Sequence, residues 1–324
     1  MSEPRSLQQA ILYFSNPDNC TQYIAVRRWP NGVTCPGCGS DRVSYNATRR
    51  TWKCSTHHPK REFSVKVGTI FEDSPIPLDK WLAATWMVTN CKNGISSYEV
   101  GRDLKVTQRT AWFMLHRIRL ALQGNPMMKL GGPGTEVEVD ETFIGGKARN
   151  MHASSARRRR LDATGVKGKT PVVGILERDG EVRAGVIPTR RRNTLHGEIG
   201  KHVAAGTSIY TDNFMSYVGL SSDYDHKVID HAERYVDGRV HTNGLENFWS
   251  LLKRGLKGTY ISVEPFHLFR YLDEQVFRYN NRATKGDPVD DGDRFDRVVR
   301  RIVGKRLTWN DLTGKTPDLE TSPN

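Results

Sequence analysis

Apolar and acidic residues alternate along residues 136–146, which read EVEVDETFIGG. Val137 and Val139 recur at every second position, which is the period of a strand with one buried face. Asp140 continues this strand toward a pair of glycines. Because an unpaired buried charge is costly, a bound divalent metal explains a carboxylate at this position better than packing does.

The segment that follows predicts further strands. Apolar runs at 171–177 and 181–187 flank Asp179-Gly180, a dipeptide typical of a hairpin turn. Thr207–Asp212 is a short strand that also ends in an acid. We further expect a helix over 194–204, the start of a helix over 213–219 and a strand over 226–231.

Residues 241–260 have the period of an amphipathic helix. At about 100° per residue, one face collects the large apolar side chains Leu245, Phe248, Trp249, Leu252 and Leu256. The opposite face carries Asn243, Glu246, Ser250 and Lys253. Lys253 follows Glu246 by seven positions, so the two side chains lie two turns apart on the same side of the helix. A solvated polar face is the simpler interpretation of this pattern.

Helical periodicity also marks the N-terminal part of the chain. Residues 76–122 predict helices, with a capping box formed by Ser96 and Glu99. A short turn at 105–107 separates two of these helices, and the second carries Arg109, Arg117 and Arg119 off its apolar face. This spacing resembles a helix-turn-helix, whose second helix contacts DNA. An ordinary helical hairpin remains the alternative.

A metal-binding pattern lies between these helical regions. Cys35-Pro-Gly-Cys38 and Cys54-Ser-Thr-His57 share the i, i+3 spacing of zinc knuckles. We expect Cys35, Cys38, Cys54 and His57 to bind one structural Zn²⁺, with His58 as the alternative fourth ligand. A site with four protein ligands is closed to water, so this zinc is not catalytic.

Charge then indicates the partner. The 324-residue chain has 49 basic and 36 acidic residues, a net charge of +13, which favours a polyanionic partner. No apolar run approaches the roughly 18 to 20 residues of a membrane-spanning helix, so nucleic acid is a better prediction than a membrane. The basic run 157–160, with Arg158 and Arg159 at its centre, is either a solvated insertion or a grip on phosphates.

Cysteine usage and the N-terminus indicate the compartment. Five cysteines and no secretory signal sequence suggest a reducing cytoplasm rather than a disulfide framework. A basic cytoplasmic protein that binds DNA is expected to associate with the nucleoid.

The acids of the two strands and the helix suggest a catalytic site. Asp140, Asp212 and Glu246 supply the oxygen ligands that Mg²⁺ or Mn²⁺ prefers. Two such ions a few ångströms apart stabilise the attacking and leaving oxygens of an in-line displacement at phosphorus. We expect Lys253 to bind a nearby backbone phosphate.

Together these motifs resemble a known family. The chain is similar to bacterial insertion-sequence transposases of the DDE type, in the group with an N-terminal zinc ribbon and an RNase H-like catalytic domain, which is similar to the Merlin elements. The resemblance covers residues from about 20 to 285 and is carried by these pieces: Cys35–Cys38, Val139–Thr142 with Gly145–Lys147, Tyr210–Asp212, His241–Asn243, Glu246 to Lys253-Arg254, and Phe277–Arg282.

The resemblance implies roles for single residues. Asp140 and Asp212 correspond to the first two catalytic acids, and Lys253 follows the third. Members of the group differ at the third position. We favour Glu246, because a carboxylate binds a metal more strongly than an amide does, and keep Asn243 as the alternative ligand. Arg109, Arg117, Arg119, Arg158, Arg159, Lys253 and Arg254 are the expected DNA contacts.

We therefore predict a multidomain α+β protein: an N-terminal zinc ribbon, a helical domain like a helix-turn-helix, and an RNase H-like α/β catalytic domain with a mixed sheet. The expected boundaries are a helical lead-in over 1–32, the ribbon over 33–70, the helical domain over 76–128, the catalytic domain over 135–285, and a C-terminal helix with a disordered tail over 286–324. The helices expected beyond residue 260 span 264–282 and 302–312.

The predicted function is a transposase that binds terminal inverted repeats, cleaves the element ends and joins their 3′ hydroxyls to target DNA. It would act on double-stranded DNA as at least a dimer, with two Mg²⁺ or Mn²⁺ ions for catalysis, one structural Zn²⁺ and no membrane partner. The alternatives are a non-catalytic DNA-binding regulator derived from a transposase, and an RNase H-like nuclease or resolvase that cuts without joining.

Overall fold

The computed structural model describes residues 2–124, 127–145, 168–229, 241–284 and 286–315. Its contacts divide the chain into two compact units. The first joins Met1–Gln123 with Asn281–Asn324, and the second is Gly124–Asn280. Within the described ranges, no helix is both long enough and apolar enough to cross a membrane.

The first unit begins with two helices and a small sheet. Helices α1 (Leu7–Phe14) and α2 (Pro17–Arg28) are separated by Ser15 and Asn16. The Asn16 side chain accepts a hydrogen bond from the Asp18 amide and caps α2. Strands β1 (Val43–Asn46), β2 (Thr51–Cys54) and β3 (Glu62–Phe63) form an antiparallel sheet with β2 in the centre. The indole of Trp52 stacks on the ring of Phe63, so aromatic packing supports this short sheet.

Three helices follow the small sheet: α3 (Leu78–Asn90), α4 (Ser97–Asp103) and α5 (Gln108–Leu122). The predicted capping box is confirmed, because Ser96 accepts from the Glu99 amide and Glu99 accepts from the Ser96 amide. Thr107 caps α5 in a similar way by accepting from the Thr110 amide. The first cap fixes the start of α4, and the second fixes the start of α5 at the end of the short turn between the two helices.

The second unit is built on a mixed sheet, as predicted. Its elements are β4 (Glu136–Ile144), β5 (Thr170–Glu177), β6 (Val182–Val186), α6 (Arg192–His202), β7 (Ser208–Asp212), β8 (Asp225–Ile229), α7 (Asn243–Gly255) and α8 (Leu268–Asn280). The strand order is β6-β5-β4-β7-β8. β4 is antiparallel to β5 and parallel to β7, so the first strand of the unit lies at the centre of the sheet. The predicted β5–β6 hairpin is confirmed, with Asp179 at a positive φ of 59° in its turn.

The alternation along β4 sends its side chains to two opposite layers. On one face, Val137 and Val139 pack in a core with Leu195 and Ile199 of α6. On the other face of the sheet, apolar side chains of β5 and β6 pack against those of α7 and α8. The buried residues of this layer include Val172, Leu176 and Val182 from the strands and Leu245, Phe248, Trp249, Leu252, Leu268 and Leu272 from the helices. Because side chains alternate along a strand, Glu138 and Asp140 point toward the layer that contains α7, as their contacts with that helix show.

Two predicted helices differ from the structure. In place of a helix over 213–219, the chain forms 3₁₀ turns at Met215–Tyr217 and Leu220–Ser222. Gly219, at a φ of 96°, breaks the helical path between them. In place of the helix over 302–312, the chain forms α9 (Asp291–Val299) and the short α10 (Trp309–Thr313). The charge-rich start of α9 concealed it, because its acids cap the helix: Asp290 and Asp293 form a capping box.

Helix α9 is part of the core of the first unit rather than an appended tail. The side chain of Phe295 is fully buried and lies 5.0 Å from Trp86, 5.7 Å from Phe14 and 5.6 Å from Tyr23 between ring centroids. The C-terminal segment therefore closes the hydrophobic core made by α1, α2 and α3. From residue 316 the predicted disordered tail lies outside the described residues.

Replacing Phe295 by alanine is expected to lower the free energy of unfolding of the first unit by about 3–5 kcal/mol, because a fully buried aromatic ring is lost. Tryptophan fluorescence during urea unfolding measures this, since six of the seven tryptophans belong to that unit. Tyr98→Ala serves as the control, because Tyr98 is 74% exposed and its loss should change stability by less than about 0.5 kcal/mol. Equal effects of the two changes would contradict the role of α9.

Candidate active site and metal centre

The first unit contains a compact cluster of cysteine and histidine side chains. Potential ligand atoms of Cys35, Cys38, Cys54 and His58 all lie within 4.8 Å of one another. The Cys35 Sγ lies 3.3 Å from His58 Nε2, and the Cys38 and Cys54 sulfurs lie 3.7 Å apart. Three sulfurs and one imidazole nitrogen are the donor set of a closed tetrahedral zinc site. The residues therefore fit a structural Zn²⁺.

The fourth ligand corrects the sequence prediction. His58 belongs to the cluster, whereas the predicted ligand His57 is exposed. Cys54 is the last residue of β2, and the chain bends at 55–56 before it turns back toward the first knuckle. The ring of His58 lies against Gly37, where a Cβ would approach its Cε1 to 3.3 Å. The bend thus brings the fourth residue after Cys54, rather than the third, to the sulfurs.

The environment of Cys54 favours the form that binds metal. Burial alone would raise the pKa of its thiol, but hydrogen bonds from His58 and from the Thr56 backbone outweigh burial and lower the pKa to about 6. A thiolate is the zinc ligand.

The second unit contains an open acidic pocket beside the central strand. The cavity has a volume of about 600 Å³ and lies between β4 and α7; its walls include Asp140, Glu141, Thr142, Glu246, Trp249, Ser250, Lys253, Arg254 and Lys257. Asp140 lies in the middle of β4, and Asp212 is the last residue of the parallel neighbour β7. Glu246 is exposed in the first turn of α7 and faces the cavity.

Electrostatic coupling links the three predicted acids. The pKa of the Asp140 carboxyl is raised to about 6, chiefly by burial and in part by the nearby charges of Asp212 and Glu246, while a hydrogen bond from Trp249 acts in the opposite direction. Carboxylates that repel one another in a half-buried pocket attract a cation. Hard oxygen donors in an open pocket suit Mg²⁺ or Mn²⁺, so the donor chemistry fits a divalent metal.

The three acids are more widely spread than the zinc ligands. Among the described residues, the cysteine and histidine cluster is the one group of three or more potential ligands whose donor atoms all lie within 4.8 Å of one another.

Asn243, the alternative third ligand, is exposed at the start of α7 and is not part of the cavity wall. The geometry therefore places Glu246, rather than Asn243, beside Asp140.

Basic side chains line the same cavity. Lys253 lies two turns beyond Glu246 on α7, as the periodicity predicted, and Arg254 and Lys257 are exposed close by. Burial lowers the pKa of Lys253, and the charge of Asp140 partly offsets this effect. A cationic wall beside an acidic centre is suited to a ligand that carries phosphate groups.

Glu138 is a residue of the site that sequence reasoning missed. Its carboxylate, 1% exposed, accepts a hydrogen bond from the Leu245 amide at 3.0 Å, pairs with Arg178 at 3.1 Å, and lies 3.3 Å from His241 Nδ1. Helix α7 has no capping side chain at its own first turn, so Glu138 of β4 performs this task. Its position two residues before Asp140 is the signal that places both on one face of the strand.

Glycine at position 244 is required by this anchor. A Cβ there would lie 2.8 Å from the Oε2 of Glu138 and 2.4 Å from Leu176 Cδ2. The helix therefore approaches the strand more closely than a larger residue permits. This close approach brings the first turn of α7, with Glu246, to the edge of the Asp140 pocket.

Glu141 anchors the segment that follows Asp212. The Tyr217 hydroxyl donates a hydrogen bond to Glu141, and Arg190 Nη1 lies 3.6 Å from its other oxygen. The Arg190 guanidinium lies over the rings of both Phe143 and Phe214. Burial raises the pKa of the Glu141 carboxyl to about 7. These contacts attach the residues after β7 to β4, and so hold Asp212 near Asp140.

The predicted DNA contacts of the first unit need correction. Arg117 and Arg119 are 4% and 1% exposed, so they do not present their guanidinium groups to solvent. Arg117 is held inside by a hydrogen bond to the Glu72 carbonyl and lies over the rings of Trp81 and Phe113. Arg109 is exposed near the start of α5. Arg158 and Arg159 lie outside the described residues.

Comparison with known proteins identifies the class to which this fold and site belong. The ISXO2-like transposase domain matches residues 129–280, and a transposase zinc-ribbon domain matches residues 15–56. An uncharacterized protein in the transposable element ISH50 of Halobacterium salinarum is 29% identical over 255 residues, covering 75% of this chain and 84% of that protein. An uncharacterized transposase-like protein of Haemophilus influenzae is 33% identical over 101 residues, or 31% of this chain and 81% of that protein.

The chain belongs to the family of insertion-sequence transposases that combine an N-terminal zinc ribbon with an ISXO2-like transposase domain. This membership confirms the resemblance seen in the sequence. It also implies that the protein binds DNA.

His58→Ala is expected to reduce the zinc content of the purified protein far below one ion per chain, because it removes one of four ligands. His57→Ala is the matched control and should keep its zinc, since His57 is exposed outside the cluster. Elemental analysis of the two purified proteins makes the comparison. Retention of zinc by His58→Ala together with its loss from His57→Ala would restore the assignment made from the sequence.

Proposed function

We propose that the protein is a metal-dependent DDE transposase that cleaves the ends of its element and joins them to target DNA. The observation that carries this proposal is that Asp140 and Glu246 line one open pocket, while Asp212 ends the strand that pairs with β4 and lies close enough for its charge to raise the pKa of Asp140. Membership of a transposase family supports the reaction class, and the basic composition supports a DNA substrate.

The topology supports an RNase H-like catalytic domain. The first strand of the unit is central, a hairpin of β5 and β6 flanks it on one side, and two parallel strands flank it on the other. Asp140 lies on the central strand, and Asp212 ends its parallel neighbour. Parallel neighbours direct their carboxyl ends to the same edge of a sheet, where ligands bind in open α/β folds. The third acid comes from the helix that packs across this edge.

Asp140, Asp212 and Glu246 would hold two Mg²⁺ or Mn²⁺ ions. Such a pair, when bound, stabilises the attacking and the leaving oxygen of an in-line displacement at phosphorus. Two ions share the ligands between them, so the oxygens of all three carboxylates need not lie close to one point. The wider separation of these oxygens is therefore compatible with two ions.

The proposed reaction has two successive steps, hydrolysis and joining. In hydrolysis, a water oxygen forms a bond to phosphorus, the bond from phosphorus to the 3′ oxygen breaks, and that oxygen takes up a proton. In joining, the new 3′ hydroxyl attacks a target phosphodiester and releases the target 3′ oxygen. Lys253, Arg254 and Lys257 would hold backbone phosphates along the cavity wall.

The N-terminal modules would select the DNA. The zinc ribbon, and α4 with α5, are proposed to bind the terminal inverted repeats. Residues near the start of a recognition helix contact base edges, and Arg109 is exposed at this place in α5. Two ends must be held together before joining, so we propose at least a dimer on DNA.

Asp140→Asn, Asp212→Asn and Glu246→Gln should each lower the rate of cleavage of end DNA in Mg²⁺ by about 10²-fold or more, because each weakens charge stabilisation in the transition state. Binding of the same DNA should be retained. Asp179→Asn is the control; it makes the same acid-to-amide change in the exposed β5–β6 turn, where asparagine tolerates the positive φ. Full activity of the three site variants would contradict the proposal.

Two further assays with the wild-type protein distinguish a transposase from a resolvase and from a regulator. Strand transfer with pre-cleaved ends should give joined product with the wild-type protein, whereas a resolvase gives none. Tight DNA binding by the wild-type protein without cutting in either Mg²⁺ or Mn²⁺ would instead indicate a regulator.

A further inference from the structure

Trp249 joins the apolar core of the second unit to its acidic pocket. Its indole is 4% exposed and packs in the core that α7 forms with β5, 5.1 Å from the ring of Phe248 between centroids. The polar edge of the same indole leaves this core. Its Nε1 donates a hydrogen bond to the Oδ2 of Asp140 at 2.9 Å.

The sheet provides a space for this indole. Gly174 of β5 lies directly opposite Asp140 in the antiparallel register. A Cβ on Gly174 would approach Trp249 Cζ2 to 2.6 Å and Leu245 Cδ2 to 2.9 Å. Both are too short for real contacts, and an indole wedged between a strand and its own helix has little room to move. The glycine therefore sets the distance at which the N–H reaches Asp140.

We infer that Trp249 is a positioning residue for Asp140, which orients the carboxylate so that its remaining lone pairs face the cavity. One lone pair of Oδ2 is used by the indole, and this fixes rotation about the bond to the carboxyl group. The Glu141 amide also donates to this carboxylate, and Asp140 lines the cavity together with Glu246 and Lys253, so the lone pairs that accept no protein hydrogen bond are available there. Hydrogen bonds of this kind to a metal-binding carboxylate raise its affinity for metal by holding it in one orientation.

This inference rests on the proposed function, because it requires Asp140 to bind metal. A positioning role and a simple packing role of Trp249 differ in whether the indole N–H group is needed. An indole that serves the core alone contributes its shape, which an analogue without the N–H preserves. An indole that orients Asp140 contributes the hydrogen bond, which the analogue lacks.

The test measures Mn²⁺ affinity of the DNA-free, full-length protein by electron paramagnetic resonance. Trp249→Phe removes the donor, and 3-benzothienylalanine at position 249 replaces the N–H by sulfur while keeping the bicyclic shape. Each should weaken Asp140-dependent Mn²⁺ binding by roughly 10- to 100-fold. The benzothienyl protein should unfold at the wild-type temperature, which separates orientation from stability.

A second pair of variants tests the position of the indole without touching a polar group. Gly174→Ala should displace the ring and weaken Mn²⁺ binding in the same direction as Trp249→Phe. Gly185→Ala is the matched control on the adjacent strand β6, because a Cβ there meets no atom within 4 Å. Its Mn²⁺ affinity should equal that of the wild-type protein.

A spectroscopic measurement reports on the hydrogen bond without metal. In protein labelled with ¹⁵N-tryptophan, the indole N–H resonance that disappears in Trp249→Phe belongs to Trp249. In Asp140→Asn this resonance should shift, because the acceptor becomes neutral, whereas the resonances of the tryptophans in the first unit should remain in place.

The outcomes separate the inference from the proposed function. If Asp140→Asn abolishes Mn²⁺ binding but the benzothienyl protein binds Mn²⁺ as the wild type does, the positioning role is wrong and the metal site remains. If Asp140→Asn leaves Mn²⁺ binding unchanged, the proposed metal site is wrong, and the inference is overturned with it. Weakened binding in the benzothienyl and Gly174→Ala proteins, with Gly185→Ala unchanged, supports the inference.

Discussion

The contact between strand β4 and helix α7 is the constraint on which the second unit depends. A site that collects several carboxylates works against their mutual repulsion and against the cost of partial burial, and the raised pKa of Asp140 is the sign of both. The fold opposes these costs with fixed hydrogen bonds. Glu138 binds the amide end of α7, and Trp249 of the same helix binds Asp140. The helix that carries Glu246 is thereby attached to the strand that carries Asp140 at two points.

A parallel arrangement holds the remaining acid. Asp212 ends a strand that is hydrogen-bonded to β4, and the turn after it is attached to Glu141 through Tyr217. Glu138, Asp140 and Glu141 are therefore three acids of one strand with different tasks. The first anchors a helix, the second faces the cavity, and the third anchors the loop after Asp212. The anchoring contacts of Glu138 and Glu141 explain why this short segment carries more acids than Asp140 alone.

The features predicted correctly from the sequence are those that depend on local periodicity. Alternation found β4, and the helical period placed Glu246 and Lys253 on one side of α7. Predictions failed where tertiary packing decides. Arg117 and Arg119 follow the polar face of α5 in the sequence, yet they are buried in the first unit. The choice of His58 over His57 depends on a bend after β2 that no spacing rule contains. Strand alternation places Glu138 on the face of Asp140, but its partner Leu245 and the partner of Trp249 lie more than 100 positions away, so no local pattern could reveal these contacts.

The central claim is that Asp140, Asp212 and Glu246 bind the catalytic metals together. The most direct measurement is anomalous X-ray diffraction at the manganese edge from crystals of the full-length protein with end DNA and Mn²⁺. The account predicts manganese in the pocket between β4 and α7, with oxygens of all three acids as ligands and the scissile phosphate beside them. Manganese bound without Asp140 and Glu246, or a pocket that stays empty of manganese while DNA is cut, would contradict it.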